Sequence, residues 1–461
     1  MARLASTAPA TDASLPTNTL VIDSGAYTIK AGFSNSDNTN LDATSLASCQ
    51  VIPNCIARSR LRNDYIGSDL SKCNDYGEMA FKRPVEKGYI VNWETEKAIW
   101  DHEFIFANSP LQCDPSSTNL ILTEPPNSPL ALQTNTDQIV FEEYQFASLY
   151  RCVGPTLAAW NDNASLFSDA ALSTSLPTEI MLLIDSGHSH TNIVPLFRGR
   201  ALQSAIRRID IGGKHLSNYL AELLSLRHFS LIDEPYIVSQ IKEDACFVSL
   251  DFDRDLERTW KGGLGDRRAL DTEIVRDYVL PDYEKLHRGY LREHDASHAA
   301  KMARLGVGNV NEDGEKEREE AFPLANERFV VPELLFNPRD VGLQQSGIAE
   351  TVMESLEALP RPMWQGFLGN VVLVGGCTLL PGFVERVESG IRMLAPAEME
   401  VRVKRPEDPI KYTWQGGARL ATQADYLKNA VVTREQYLEY GERWTREQFA
   451  KKRIVQDWTR G

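Results

Sequence analysis

The sequence predicts an α/β protein built as two similar halves, each with an appended lobe, around a central cleft. Two observations carry that reading. LVIDSG at residues 20–25 returns almost unchanged as LLIDSG at residues 182–187. In each copy the apolar residues suit a buried strand, and Asp marks the point where the strand leaves its sheet. Gly then permits a tight turn and a close approach by another backbone or a ligand. The second observation is a recurring unit of apolar strand, glycine turn, and then strand or helix. It appears in TLVIDSGAYTIKAGFS (19–34), EIMLLIDSGHSHTNIVPLFRGR (179–200), RIDIGGKHLSNYLAELLSL (208–226), NVVLVGGCTLLPGFVERVESGI (370–391) and KYTWQGGARLA (411–421). Several backbone turns are thereby free to meet at one cleft.

The other elements follow in order along the chain. Residues 1–17, rich in Ala, Ser, Thr and Pro, read as a disordered tail and lack the apolar core of a signal peptide. Residues 45–85 are polar, carry Arg58, Arg60 and Arg62, and read as a small lobe. KGYIVNWETEKAIWDHEFIF (87–106) has apolar residues at helical spacing after a start at Asn92. TNLILTEPP (118–126) is a short buried strand stopped by two prolines. FEEYQFASLYRCVGPTLAAW (141–160) reads as helical up to a break at Gly154-Pro155, and IVSQIKEDACFVSLDF (237–252) as another helix. Residues 295–321 are charged and poor in apolar residues, the composition of a flexible insertion. The final stretch from Thr433 is mostly charged helix.

Bulk properties narrow the function classes. The 461 residues are enough for two or three domains and a large core. A net charge of −15 makes a direct grip on DNA phosphates a poor expectation, while basic partners are compatible with it. The seven cysteines form no CxxC pair and no regular spacing, which argues against a disulfide framework or zinc module and for a reducing compartment. No apolar run approaches the roughly 18 residues of a membrane span. The expected location is cytosolic or nuclear.

Backbone N–H groups at tight turns and helix N-termini make anion sites. Two opposed Asp-Ser-Gly hairpins are therefore suited to grip a polyphosphate from both sides. Asp23 and Asp185 would then face the phosphates, which makes sense with a cation between them; Mg2+ with its water shell is the natural choice. Lys30 supplies a further positive charge, and Gly375-Gly376 leave a flat gap for a base or sugar. A single DSG or GG is only a common turn; the combination carries the reading. His188 and His190, with His215 as a third, read as ordinary polar residues rather than a metal set, because no Cys or carboxylate ligands accompany them at standard spacing.

From about residue 18 to the C-terminus the sequence resembles the actin superfamily. The first phosphate hairpin is DSGAYTIKAGF, the second DSGHSHTNIVP, and the adenosine motif LVGGCTLLPGF; KGYIVNWETEKAIW, IKEDACFVSLDF and KYTWQGG match further signatures in the same order. FEEYQFASLYR, VLPDYEKLHRGY, LANERFVVPELLFNPRDVG and AVVTREQY resemble the fungal members of the actin-related protein 6 class. That class comprises nuclear subunits of Swr-type (SRCAP-type) remodelling complexes, which exchange histone H2A for its Z-type variant. The resemblance implies the actin-like fold (actin/Hsp70/sugar-kinase ATPase), whose duplicated halves clamp ATP or ADP with Mg2+. It implies nucleotide contacts at Asp23, Gly25, Ala26, Tyr27 and Lys30 of the first loop and at Asp185 and Gly187 of the second. Gly213 matches the glycine near the ribose, Lys242 and Glu243 the pair beside the adenosine, and Gly375, Gly376 and Lys411 the base-side contacts. Asp23 and Asp185 would hold the metal through water. Four subdomains are implied: 18–44, 86–161 and 413–461; 45–85; 162–210 and 344–412; and 211–343, with a flexible insertion near 281–325.

The departures from the family pattern shape the functional expectation. Gly154 and Asn192 stand where actin-like ATPases have the Gln and His that position the attacking water. Phosphoryl transfer depends mostly on such positioning and on electrostatics. His188 replaces the second-loop Asp, Ala26 the first-loop Ser, and Tyr27 the Gly that follows, crowding the phosphates. The resemblance therefore implies a scaffold that binds nucleotide structurally without efficient hydrolysis. Its implied partners are a Swi/Snf-type motor, a zinc-finger (HIT-type) subunit, RuvB-like helicases and, indirectly, nucleosome or linker DNA. The nucleus, and also the cytoplasm, is the implied location. The stretch from Asn54 to Tyr65 is short for actin's intersubunit loop, so filaments are not expected. The alternative is an active ATPase that polymerises or acts as a chaperone-like module, for which the surviving clamp speaks. A sugar kinase is weaker, since no extra carboxylate base is evident. Gly25→Val and Gly187→Val are each expected to destabilise the chain or abolish nucleotide retention, because Cβ atoms would enter the turns.

Overall fold

The computed structural model describes residues 15–35, 47–107, 109–167, 177–259, 273–283, 285–294, 309–310, 316–317 and 320–453. Residues 1–14 of the expected tail and much of the insertion expected near 281–325 lie outside that set. Each half is centred on a six-stranded sheet, and the two sheets share one plan. In the first, Asn18–Ser24 pairs antiparallel with Thr28–Asn35 and parallel with Asn119–Glu124, which is itself parallel to Ser148–Val153. In the second, Ile180–Ser186 pairs antiparallel with Thr191–Phe197 and parallel with Val371–Val374, which is parallel to Val403–Lys404. Each hairpin thus sits beside parallel neighbours, in the same order twice.

The strand residues of both hexapeptides are fully buried, as a strand covered on both faces requires: Leu20, Val21 and Ile22 in one, Leu182, Leu183 and Ile184 in the other. Burying each of these side chains is worth about 1.5–3 kcal/mol. The first sheet also takes in Gln50–Pro53 and Val432–Thr433 as its edges. Beyond it, a small sheet of Asp64–Ile66, Ile56–Arg58 and Ala80–Lys82 carries the arginine-rich tip. The second half adds helices Gly213–Arg227 and Pro235–Ala245 and a three-stranded sheet of residues 276–279, 290–293 and 321–324. Among the described residues no helix is long and apolar enough to cross a membrane.

Asn92 caps its helix as expected, accepting the Thr95 N–H with its side chain. Two local expectations fail for identifiable reasons. Residues 141–160 are not one helix: a wide helical turn ends at Glu143, Ser148–Val153 is a fully buried central strand, and a short helix follows over Gly154–Ala158. A short apolar run fits either state, and here the open edge of Asn119–Glu124 recruits it. Gly416-Gly417 is not a turn but lies inside helix Tyr412–Ala421. A Cβ at Gly416 would fall 1.9 Å from the Leu157 carbonyl oxygen, and one at Gly417 2.7 Å from Val21 Cγ1. The pair is there to let a helix press against the first half's core.

Candidate nucleotide cleft

The two hairpin turns meet at a cavity of about 460 Å3 between the halves. That is within the ~300–1,000 Å3 usual for small-molecule sites. In its floor, Lys30 Nζ lies 2.8 Å from Asp23 Oδ2, and Thr123 Oγ1 donates to Asp23 Oδ1 at 2.8 Å. Thr123 also accepts the Ser24 N–H at 3.0 Å, which fixes the strand end. Burial alone would lower the Lys30 pKa, but the charge and hydrogen bond of Asp23, with Asp185 beyond, hold it above its ordinary value. Asp185 has no such cation opposite it. Burial and the Asp23 charge push it up to about 7, with Lys30 pulling only partly against them.

The first turn is held open by Asn54, whose Nδ2 donates to the Gly25 carbonyl at 3.0 Å. Space at Gly25 is absent: a Cβ would sit 2.5 Å from the Thr28 carbonyl oxygen. Gly187 differs. Its Cβ would meet nothing nearer than 3.8 Å, so the expected crowding of that turn does not occur. The second hairpin instead packs on Gly212-Gly213 at the head of helix Gly213–Arg227, where the Gly213 and Lys214 N–H groups donate to the Gly187 and His188 carbonyls at 2.9 and 2.8 Å. A Cβ on Gly212 would come within 2.7 Å of both of those carbonyl oxygens.

On the far wall, Lys242 Nζ donates to Gly213 O at 3.1 Å and to Ser217 Oγ at 2.9 Å, and Ser239 Oγ donates to Glu243 at 3.4 Å. Opposite, Gly375 has φ +93° and lies so close to Ser186 that a Cβ would be 2.4 Å from its carbonyl oxygen. Gly376 faces open space. Asp23, Gly25, Ala26, Tyr27, Lys30, Asp185, Gly187, Gly213, Lys242, Glu243, Gly375 and Gly376 all line the cavity. Lys411 does not: its backbone N–H is taken by Asp408 Oδ1, and Ile410 and Thr413 on either side provide the wall.

Gly154 and Asn192 line the same cavity. A Cβ on Gly154 would stand 3.7 Å from Asp23 Oδ1, so a long side chain there would reach into the floor, and glycine supplies none. Asn192 is buried and paired in register with Asp185. His188 and His190 also face the cavity, whereas His215 does not line it. Burial, reinforced by Arg83 and Lys242, pushes His188 down to about 2, and burial with Arg208 pushes His190 down to about 4. Both shifts favour the neutral ring. Among the described residues no group of three or more His, Cys, Asp or Glu is gathered to hold a metal ion. Asn54, Arg83, Thr123 and Ser239 went unread in the sequence, because each is an isolated polar residue outside any glycine turn.

The Actin family model matches residues 14–450 of the chain. The chain is 49% identical to "Actin-related protein 6" of Neurospora crassa over 438 residues, covering 94% of this chain and 95% of that one. It is 37% identical to "Actin-related protein 6" of Drosophila melanogaster, covering 92% and 97%, and 35% identical to that of Arabidopsis thaliana, covering 94% and 99%. With its duplicated halves and facing hairpins, the chain belongs to the actin family, in the actin-related protein 6 branch.

Proposed function

We propose that the chain is a non-enzymatic scaffold subunit of a Swr-type chromatin remodelling complex, which exchanges histone H2A for its Z-type variant, and that it holds ATP or ADP with Mg2+ as a structural ligand. The observation that carries the loss of hydrolysis is the pair Gly154 and Asn192 in the cleft wall. Glycine has no group to orient a water, and Asn192 presents an amide to the cavity where actin-like ATPases have an imidazole. In-line attack without an orienting group is slow.

The residues present suit the ligand. Lys30 faces both Asp23 and Asp185, so a hydrated cation between the two carboxylates would offset the burial and the Asp23 charge that raise Asp185. The Ser24 hydroxyl is buried at the cavity without a partner, and Gly376 leaves a flat opening on the base side. The cation would neutralise phosphate charge; Lys30 would place the phosphates, and Lys242 and Glu243 would border the nucleoside. Binding only the folded state, nucleotide would stabilise the chain by mass action. The scaffold would work in the nucleus, linking a Swi/Snf-type motor to a HIT-type zinc-finger subunit alongside RuvB-like helicases, with nucleosome or linker DNA contacted indirectly.

The test is affinity purification of the tagged chain from nuclear extract, with phosphate release measured on the purified protein. Recovery of a Swi/Snf-type motor and variant H2A, with nucleotide retained and phosphate release at background, is the expected result. Recovery of the chain alone with steady phosphate release would favour the active ATPase instead.

A further inference from the structure

We infer that the cleft mouth is shut by a clasp made of protein side chains alone, so that the halves stay closed without nucleotide and a bound nucleotide leaves only when the clasp opens. The second part rests on the nucleotide reading above; the first does not. The clasp has an outer and an inner bar.

The outer bar joins the small lobe to helix Pro235–Ala245. Tyr76 stacks on Tyr236 with ring centroids 4.0 Å apart and planes 7° from parallel. Phe81 extends the stack at 6.3 Å, and Tyr283 leans on Tyr76 from the opposite half at 6.2 Å. The stack is aimed from both sides. Tyr76 donates its hydroxyl to the Leu70 carbonyl at 3.0 Å, and the Glu78 N–H donates to both carboxylate oxygens of Glu234 at 3.0 and 3.1 Å. Tyr236 stands in the first turn of the helix that carries Ser239, Lys242 and Glu243 to the cavity, so the bar fixes one wall of the site directly.

The inner bar is Tyr27. Its ring lies 4.8 Å from the ring of His188, spanning the two hairpin tips. Arg83 of the small lobe lies 4.5 Å over that ring and donates to the Tyr27 and Asn54 carbonyls at 3.3 Å. One side chain thus links the first hairpin to the second hairpin and to the small lobe.

A ligand closes a cleft only by the difference between its contacts in the open and closed states. Here side chains supply that difference themselves, through stacked rings and a charge-assisted hydrogen bond. Closure is then a property of the chain, and nucleotide exchange becomes limited by separation of Tyr76 from Tyr236.

The test is hydrogen exchange on the full chain, stripped of nucleotide with chelator and apyrase, compared with the chain in saturating MgATP. A fluorescent ATP analogue gives the release rate. Amides of residues 76–81 and 236–243 are expected to be equally protected in both states. Tyr236→Ala is expected to lose that protection without nucleotide and to release the analogue about tenfold faster, a change of about 1.4 kcal/mol, while Tyr236→Phe keeps both properties. Protection that appears only with MgATP, or wild-type behaviour in Tyr236→Ala, would overturn the clasp. Should Tyr236→Ala not fold, the wild-type comparison alone decides. Should the wild type bind no nucleotide, the exchange data still decide the clasp, and only the nucleotide reading falls.

Discussion

The two hairpins occupy the same place in the two halves yet solve the problem of a buried carboxylate differently. Asp23 stands across the ladder from Lys30, and Asp185 stands across the corresponding ladder from Asn192. One carboxylate therefore has an ammonium 2.8 Å away, while the other is raised to about 7. The two hairpins share one backbone geometry, and only the first carries a counter-charge across its ladder. The difference shows that hairpin shape and electrostatic completeness are separable: the first hairpin is balanced by its own strand, and the second waits on a charge from outside.

Breaking the balanced hairpin has the largest expected effect. Lys30→Met leaves Asp23 and Asp185 facing each other without a cation, and removing one partner of a buried pair costs about 3–5 kcal/mol. Chemical denaturation of the nucleotide-free chain at pH 8 measures it, and a loss below about 1 kcal/mol would mean the pair is redundant. Next comes the contrast between the turn glycines. Gly25→Val drives a Cβ against the Thr28 carbonyl and is expected to cost about 2–3 kcal/mol, whereas Gly187→Ala, where space exists, costs under about 1 kcal/mol. Equal losses at the two sites would erase the asymmetry.

The incomplete hairpin is sharpened by pH. With its pKa raised above the ordinary 3.8, ionised Asp185 destabilises the fold; the cost is absent below that value, grows as pH rises towards about 7, and is complete above it. Asp185→Asn should therefore raise the melting temperature of the nucleotide-free chain by about 2 °C or more at pH 8 and leave it unchanged at pH 3.5. The smallest effect belongs to His190. Its depressed pKa means that stability present above 6.5 is lost as pH falls towards about 4. His190→Gln should flatten that slope in a pH series of melting curves, and an unchanged slope would mean the ring is free to protonate.

Much of this architecture could be read from the residues because the informative segments are locally unambiguous. An apolar run ending in Asp-Ser-Gly can scarcely be anything but a buried strand entering a turn, and both copies are. The same dipeptide Gly-Gly was less reliable. At residues 375–376 it is a turn with positive φ; at 416–417 it sits inside a helix because of what lies outside it. No local pattern reports that distinction. Ser148–Val153 was misread because strand and helix both bury a short apolar run, and only the neighbouring sheet edge decides between them. In the cleft, the glycine turns and their Asp and Lys residues were legible. The residues that tune them, Thr123 on a neighbouring strand and Asn54 and Arg83 in the small lobe, are brought there by topology.

The pressed helix Tyr412–Ala421 has a consequence for how the protein is made. Trp414 donates its indole N–H to the Val21 carbonyl across 393 positions of sequence, and Val432–Thr433 covers the edge of Ser148–Val153. The first half is therefore begun before the second and finished after it. Until residues 412–433 have emerged, its central sheet has an uncovered face beside Val21 and an unpaired strand edge, the two features that invite association with other nascent chains. Its assembly in the cell is thus set by the arrival of the C-terminal residues, and truncation there leaves the N-terminal sheet exposed.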